Sequence, residues 1–204
     1  MMLAVYTNLA IAIQAGGQSR RMGEDKGLVL VKGRPMVNYV IDIVSQLSDN
    51  VFITTNEHKA YEQFGLPLVG DKEPGAGALP GLLTALTFCE RERLLVVACD
   101  MPLLNLDVLR LLLDSAPDAD LVLPEWGGYA QPLQAVYRRE SCVAAVTAAV
   151  ARGEKRMISF HKDLEQVVVV SEEAVAALDP EGYTFFNANT PEDLLFVDQQ
   201  LTKE

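Results

Sequence analysis

The sequence predicts an α/β fold in three layers, with helices on both faces of a mostly parallel sheet. Two observations carry that expectation. Short apolar runs alternate along the chain with segments whose apolar residues recur at helical spacing. Glycine-rich or polar stretches follow the first four of those runs directly, as ligand-binding loops do at the carboxyl edge of a parallel sheet. Length agrees with both. The 204 residues are half hydrophobic, with no linker, low-complexity run or internal repeat, and residues 1–204 read as a single domain able to bury its own core.

The elements follow in order. Leu9-Ala-Ile-Ala-Ile13 is a short apolar run ending in Gly16-Gly17, the pattern of a buried parallel strand entering a tight loop. After the turn Gly33-Arg34-Pro35, apolar residues from Met36 to Leu47 recur at helical spacing. Val51–Thr54 is the next strand, 59–64 a short helix and Leu68-Val69 a brief strand. A helix is expected over 82–89, after Pro80-Gly81, and the run 94–99 is the strongest strand signal of the chain. The segment 106–113 reads as helix, 121–123 as strand, and Gly127-Gly128 as a turn into a strand over 133–137. A helix over 143–151, a strand over 167–170 and a helix over 191–201 complete the chain. The last opens with Thr190 as N-cap, Pro191 at its first position and Asp193 at its third. This alternation is Rossmann-like.

Composition removes several classes of function. The formal net charge of −11 disfavours sequence-independent nucleic-acid binding. The charge is uneven: residues 19–34 hold five basic and two acidic side chains, a cationic island on an acidic chain that suits a local anion. No run is long and apolar enough for a membrane helix. The apolar start lacks a preceding Lys or Arg and is broken by Thr7-Asn8, unlike a secretory signal, so a cytoplasmic protein is expected. Cys89, Cys99 and Cys142 show no metal or disulfide spacing and read as buried thiols. His58 and His161 stand far apart, which argues against a histidine-based metal site.

The chemistry concentrates in Gln14-Ala15-Gly16-Gly17 and the residues up to Lys26. Glycines at 16 and 17 let backbone N–H groups come close to phosphate oxygens, while Arg21 and Lys26 add forked and mobile positive charge. Neither the G-x-x-x-x-G-K-[ST] loop nor the G-x-G-x-x-G dinucleotide pattern is present. Asp100, at the mouth of the strongest strand, is the candidate Mg²⁺ ligand: that ion takes one or two carboxylates together with phosphate oxygens and water. Asp71 offers two acceptor oxygens to a base edge or a ribose, and equally reads as a turn residue. Asn187 and Asn189 suit capping and turn formation as well as ligand contact. Trp126 and Tyr129 suit either a cover over a bound ligand or an ordinary hairpin tip. Lys155 and Arg156 suit either a ligand's phosphate or a solvated helix end.

The loop from Ala15 to Lys26 resembles the signature of nucleotidyltransferases with the nucleotide-diphospho-sugar transferase fold, and among them the molybdenum cofactor guanylyltransferases. Cys99-Asp100-Met101-Pro102 is similar to that family's metal-binding segment. Gly77-Ala78-Leu79-Pro80-Gly81 is similar to its Gly-Pro-Leu-Ala-Gly turn with the proline displaced. Gln131 to Arg138 and Phe186 to Leu194 resemble its central strand and its closing Asn-x-Asn-Thr-Pro-Glu segment. The chain departs at Gln14, where leucine is usual, and at Thr54, where asparagine is common. The resemblance implies transfer of GMP from GTP to the terminal phosphate of the molybdenum-pterin cofactor, with pyrophosphate released. It implies Mg²⁺ on Asp100, catalytic roles for Lys26, Arg21 and Asp100, and nucleotide contacts from Gln14, Ala15, Gly16, Gly17, Lys26, Thr54, Asp71 and Asp100. Cofactor-delivery and molybdoenzyme-maturation proteins are the partners it suggests. The alternatives are a cytidylyltransferase on the same pterin, a sugar-phosphate nucleotidylyltransferase, and a non-catalytic nucleotide-binding regulator.

Overall fold

The computed structural model describes residues 6–16, 25–71 and 77–202. The chain runs through β1 (Leu9–Gln14), the hairpin β2 (Leu30–Val31) and β3 (Arg34–Pro35), α1 (Met36–Val44), β4 (Val51–Thr54) and α2 (His58–Tyr61). It continues through β5 (Leu68–Val69), α3 (Ala78–Phe88), β6 (Arg93–Ala98), α4 (Leu106–Ser115), β7 (Leu121–Trp126), β8 (Tyr129–Ala130) and β9 (Gln134–Arg138). The last elements are α5 (Arg139–Ala151), β10 (Val167–Val170), α6 (Glu172–Ala176) and α7 (Pro191–Gln200).

The main sheet has the order β10-β7-β9-β6-β1-β4-β5, with β8 attached to β7. β1 pairs in parallel with β4 and β6, and the pairs β4–β5 and β10–β7 are also parallel. β9 runs against its neighbours β6 and β7, and the short β8 against β7. The reason is the connection: Gly127 and Gly128, at φ 60° and 77°, turn the chain back as a hairpin, and no helix intervenes to carry it across the sheet. The mostly parallel three-layer arrangement is therefore present, with one strand reversed inside it.

Alternation along β1 divides the core. Leu9, Ile11 and Ile13 face a cluster that includes Val37, Val40 and Val44 of α1, Val108 and Leu112 of α4, and Val175 of α6. Ala10 and Ala12 face the opposite cluster, which includes Phe52 and residues of α3 and α5. Two alanines on that side leave room for the helix and for Phe52. Full burial of both faces explains why β1 and β6 read as continuous apolar runs. α7 closes a smaller cluster, its Val197 buried with Val31, Met36 and Ala188.

Several boundaries differ from the periodicity. α3 begins at Ala78, because a proline at position 80 falls in the first turn, where a missing N–H costs nothing. α5 begins at Arg139, directly from β9. α1 stops at Val44, although Leu47 stays buried in the following turn. The five-residue α6 carries too little period to be seen, and is opened by Ser171 accepting from Ala174 N.

Two polar devices fix the closing segment. Thr184, fully buried, accepts through Oγ1 from Gln134 Nε2 at 2.8 Å and from Asn105 N at 3.0 Å, while its own N–H donates to Asp179 at 2.7 Å. At α7, Thr190 and Asp193 form the expected capping box. Asp193 Oδ2 accepts from Asn189 N and Thr190 N, each at 2.8 Å. The bond from Asn189 N leads the causes that hold this carboxyl below its ordinary range. A carboxylate whose pKa is depressed by folding stabilises above its unfolded value, about 3.9, and that stability is lost as pH falls through the folded pKa. Asp193→Ala is expected to cost about 1 kcal/mol at pH 7, a fall of roughly 2–4 °C in thermal midpoint. The gap between variant and wild type should close as acid takes the pH through the lowered pKa. A gap that persists in acid would show that the side chain acts otherwise.

Candidate active site

The chain passes from β1 outward to β4 and β5, then returns to place β6 on the other side of β1. That reversal is the topological switch point, where a crevice opens at the carboxyl ends of the strands. Gln14 ends β1 and Asp100 lies two residues beyond β6, so both sequence candidates lie on that edge of the sheet.

Lys26 is aimed by a clamp that the motif alone does not reveal. Asp25 caps the single 3-10 turn Lys26–Leu28, its Oδ1 accepting from Gly27 N at 3.1 Å and from the Tyr61 hydroxyl at 2.5 Å. Tyr61 is completely buried. Burial, then neighbouring Cys99 and the bond to Asp25, push its hydroxyl far above the usual range, so it remains a donor. A Cβ at Gly27 would lie 2.5 Å from that hydroxyl and 3.0 Å from Cys99 Sγ, which is why glycine follows the lysine. Burial, followed by the carboxylates of Asp100 and Asp25, raises the Cys99 thiol in turn. A protonated, enclosed thiol is no nucleophile.

From this turn Lys26 Nζ reaches Asp100 Oδ2 at 3.3 Å and donates to Asn189 Oδ1. The pair is partly open, with 22 % of the Lys26 side chain and 14 % of the Asp100 side chain exposed. The closing segment is tied in by Ala188 N donating to Asp100 O at 2.9 Å, and Asn189 Nδ2 donates to Asn187 O at 3.0 Å. Asn187 itself donates to Phe185 O at 3.1 Å and serves the turn. Asn189 thus joins the site, whereas Asn187 shapes the loop.

On the other side of β1, Gln14 pairs in register with Thr54 of β4. Both follow the alternation of Ala10, Ala12 and Phe52, and so point toward α3. Thr54 is buried. Asn56 spends Oδ1 on Asp71 N at 2.9 Å, fixing the loop that carries Asp71. A Cβ placed on Gly81 would be 3.9 Å from both carboxylate oxygens of Asp71 and from Gln14 Nε2. Among the described residues that buried Nε2 has no hydrogen-bond partner, an arrangement that ordinarily costs about 1–3 kcal/mol.

The backbone donors divide unequally. Ala15 N donates to Thr54 O at 2.9 Å and Gln14 O accepts from Cys99 N at 3.0 Å, both continuing the sheet. The Ala15 N–H is therefore committed to the fold, a restriction the sequence does not show. Gly16 is exposed with nothing within 4 Å of its Cβ position, leaving space for a ligand. Gly17 and Arg21 lie outside the described residues.

Trp126, at the carboxyl end of β7, stands on the same edge of the sheet as Asp100, since β7 and β6 both oppose β9. Its ring packs on Gly182, where a Cβ would fall 2.1 Å from it, and 5.8 Å from the Phe185 ring centroid. Tyr129 is 76 % exposed at the hairpin tip. Lys155 O instead accepts from Leu79 N at 3.2 Å, setting that residue against the start of α3. Among the described residues no group of three or more His, Cys, Asp or Glu side chains could hold a metal by itself. Asp100 as a lone carboxylate fits an ion that takes its other ligands from phosphate and water.

The model of the MobA-like NTP transferase domain matches residues 11–167. The chain belongs to this family. A probable molybdenum cofactor guanylyltransferase of Pelotomaculum thermopropionicum is 35 % identical over 90 % of this chain and 88 % of that protein. The molybdenum cofactor guanylyltransferase of Shewanella halifaxensis is 33 % identical over 88 % of each chain. The crystal structure of molybdopterin-guanine dinucleotide biosynthesis protein A from Archaeoglobus fulgidus superposes with a TM-score of 0.80 at 25 % identity, covering 96 % of this chain and all of that one. A 4-diphosphocytidyl-2C-methyl-D-erythritol synthase from Anaerococcus prevotii shares the fold, with a TM-score of 0.72 at 14 % identity. The MobA-like assignment makes this chain a nucleotidyltransferase, and the nucleotide-diphospho-sugar transferase fold expected from its loop is the one observed.

Proposed function

We propose that this protein transfers GMP from GTP to the terminal phosphate of the molybdenum-pterin cofactor, releasing pyrophosphate. The observation that carries the reading is the Lys26–Asp100–Asn189 cluster at the sheet's switch point. Relatives named for this reaction match over about nine-tenths of the chain. The reaction brings two anions together for in-line attack on the α-phosphorus, so neutralising charge is the main task. Lys26 stabilises the charge that grows on the departing pyrophosphate, assisted by Arg21. The exposed backbone at Gly16, followed by Gly17, accommodates the phosphates. Gln14, Thr54 and Asp71 hold the nucleoside, and Asn189 keeps Lys26 at the reacting end. The acceptor phosphate is already ionised, so no general base is required, consistent with the absence of histidine from the cluster.

Mg²⁺ would be held by Asp100 and would supply positive charge to offset that of the phosphates. The residues present suit it, since Asp100 offers an anionic ligand next to the lysine and the substrate provides the rest. The acceptor falls on the β7–β9 side, where Trp126 stands. Free, buried Cys89, Cys99 and Cys142 support a cytoplasmic placement, and no described helix is long and apolar enough to cross a membrane. Cofactor-delivery and molybdoenzyme-maturation proteins remain the partners of this reading, and the whole chain acts as one domain.

The test is pyrophosphate release with each of the four nucleoside triphosphates, with and without molybdenum-loaded pterin. Release with GTP at least tenfold above CTP, and only with the acceptor, is expected. Preference for CTP would move the protein to the cytidylyltransferases. No turnover with any pair would make it a nucleotide-binding regulator.

A further inference from the structure

We infer that the outer edge of β10 is a docking strand for an extended, basic segment of a partner protein, which adds to the main sheet beside the acceptor side. β10 ends the sheet on that side, with β7 as its one neighbour among the described residues. The ladder fixes which of its backbone groups are engaged. Gln166 O accepts from Leu121 N at 3.2 Å, and Val167 and Val169 stand in register with Leu121 and Leu123. Successive residues of a strand aim their N–H and C=O groups to opposite sides, so Gln166, Val168 and Val170 bond β7. The backbone groups of Val167 and Val169 therefore point outward. Among the described residues no turn or loop backbone bonds them. The strand is also held in place at both ends. Asp120 Oδ2 accepts from Glu165 N at 3.1 Å and Gln166 N at 3.0 Å before it, and Ser171 caps α6 after it. Val169 shares the face of Val167 and is 53 % exposed. An ordered edge with an apolar side chain left in water is a template for one more strand.

Charge selects the occupant. From 164 to 202 the chain carries eight acidic side chains and no Lys, Arg or His. Three of the eight flank β10, Glu165 before it and Glu172 and Glu173 after it. Two copies of this chain paired edge to edge would set these carboxylates against their own kind. In a parallel pair Glu165 meets Glu165, and in an antiparallel pair it approaches the Glu172–Glu173 end of the other copy. Nucleic acid and anionic lipid are repelled as well. A short extended segment with Lys or Arg at both ends finds opposite charge at both flanks, while main-chain bonds give it affinity. Position supplies the partner's role. β7 carries Trp126 at its carboxyl end, and Glu172 accepts from Gly127 N at 2.9 Å, tying the hairpin to the segment after β10. A strand docked on β10 thus lies next to the hairpin, as suits a protein that hands over the acceptor or takes up the product. Only that role rests on the function proposed above.

The experiment is equilibrium binding of synthetic peptides to the full chain without nucleotide, followed by amide hydrogen exchange. The probe is Arg-Thr-Val-Thr-Val-Arg. One control replaces both arginines by glutamate, and another carries N-methyl groups on every inner amide. Wild type is expected to bind the probe, to bind the N-methylated peptide roughly tenfold more weakly, and not to bind the glutamate peptide. Exchange at the Val167 and Val169 amides should slow when the probe is bound. Val169→Pro removes an outward donor and no ladder bond, which an edge strand tolerates, and should weaken the probe. Glu165→Gln with Glu173→Gln leaves the backbone untouched and should weaken it roughly threefold, with a smaller dependence on salt. An N-methylated peptide that binds as tightly as the probe overturns the inference, because the probe would then only adhere to an acidic surface. So does a wild type that binds no probe, or one whose protection falls elsewhere. A dimer of the free chain that protects the same two amides would make the occupant a second copy and overturn the basic partner. Probe binding that persists in a protein without GTP turnover overturns the parent reading alone, so the two failures are told apart.

Discussion

Lys26→Ala is expected to lower the single-turnover rate about a hundredfold while weakening GTP binding less than tenfold. The structure gives the reason for the inequality. Lys26 Nζ is already shared between Asp100 and Asn189, so a bound triphosphate must draw the ammonium away from partners that satisfy it. Little is gained in the ground state. When charge moves onto the leaving pyrophosphate the balance changes, and an interaction stronger in the transition state than before it raises turnover. Single-turnover kinetics and calorimetry on the same preparation separate the two quantities. Equal losses would mean that Lys26 only anchors GTP. The buried Tyr61–Asp25 clamp shapes the backbone of the turn, not the lysine stem, so the variant should fold normally.

Asp100→Asn is the second large effect. It preserves the size of the side chain and removes the charge proposed to hold the ion. Magnesium-dependent turnover should fall more than tenfold, a barrier increase above ~1.4 kcal/mol. A variant retaining more than a tenth of its activity would show that Asp100 is not the main ligand. Stability should change little, because asparagine keeps the size of the side chain and Lys26 keeps its bond to Asn189. Since the two side chains touch, their effects on turnover should not add: the double variant should lose less than the product of the single losses. Strict additivity would mean that the contact seen between them has no part in the reaction.

The sequence by itself determined the layers and the edge on which the chemistry lies. Apolar runs such as 94–99 are long enough to be strands and too short for most helices. Burial on both faces leaves no alternation, so they read as interior strands of a sheet covered by helices. The positions at the ends of those runs or just after them carry Gly16, Thr54, Asp71 and Asp100, and parallel connectivity brings such positions to one edge. Local chemistry was legible too: Thr190, Pro191 and Asp193 lie within one turn and interact through the backbone they begin.

Only the tertiary structure decided which of those residues meet, since the partners lie far apart in the chain and no period links them. Lys26 reaches Asn189 across 163 positions, and Tyr61 reaches Asp25 across 36. Tyr61 falls within the short helix read over 59–64, and its one functional atom is buried where sequence patterns carry no information. The reversal of β9 likewise depended on whether Gly127-Gly128 led into a hairpin or a crossover, which composition does not separate. Gln14 shows the boundary most clearly. Its place at the end of an apolar strand is written in the sequence, but a buried donor with no partner among the described residues becomes visible only when α3 and the Asp71 loop come beside it.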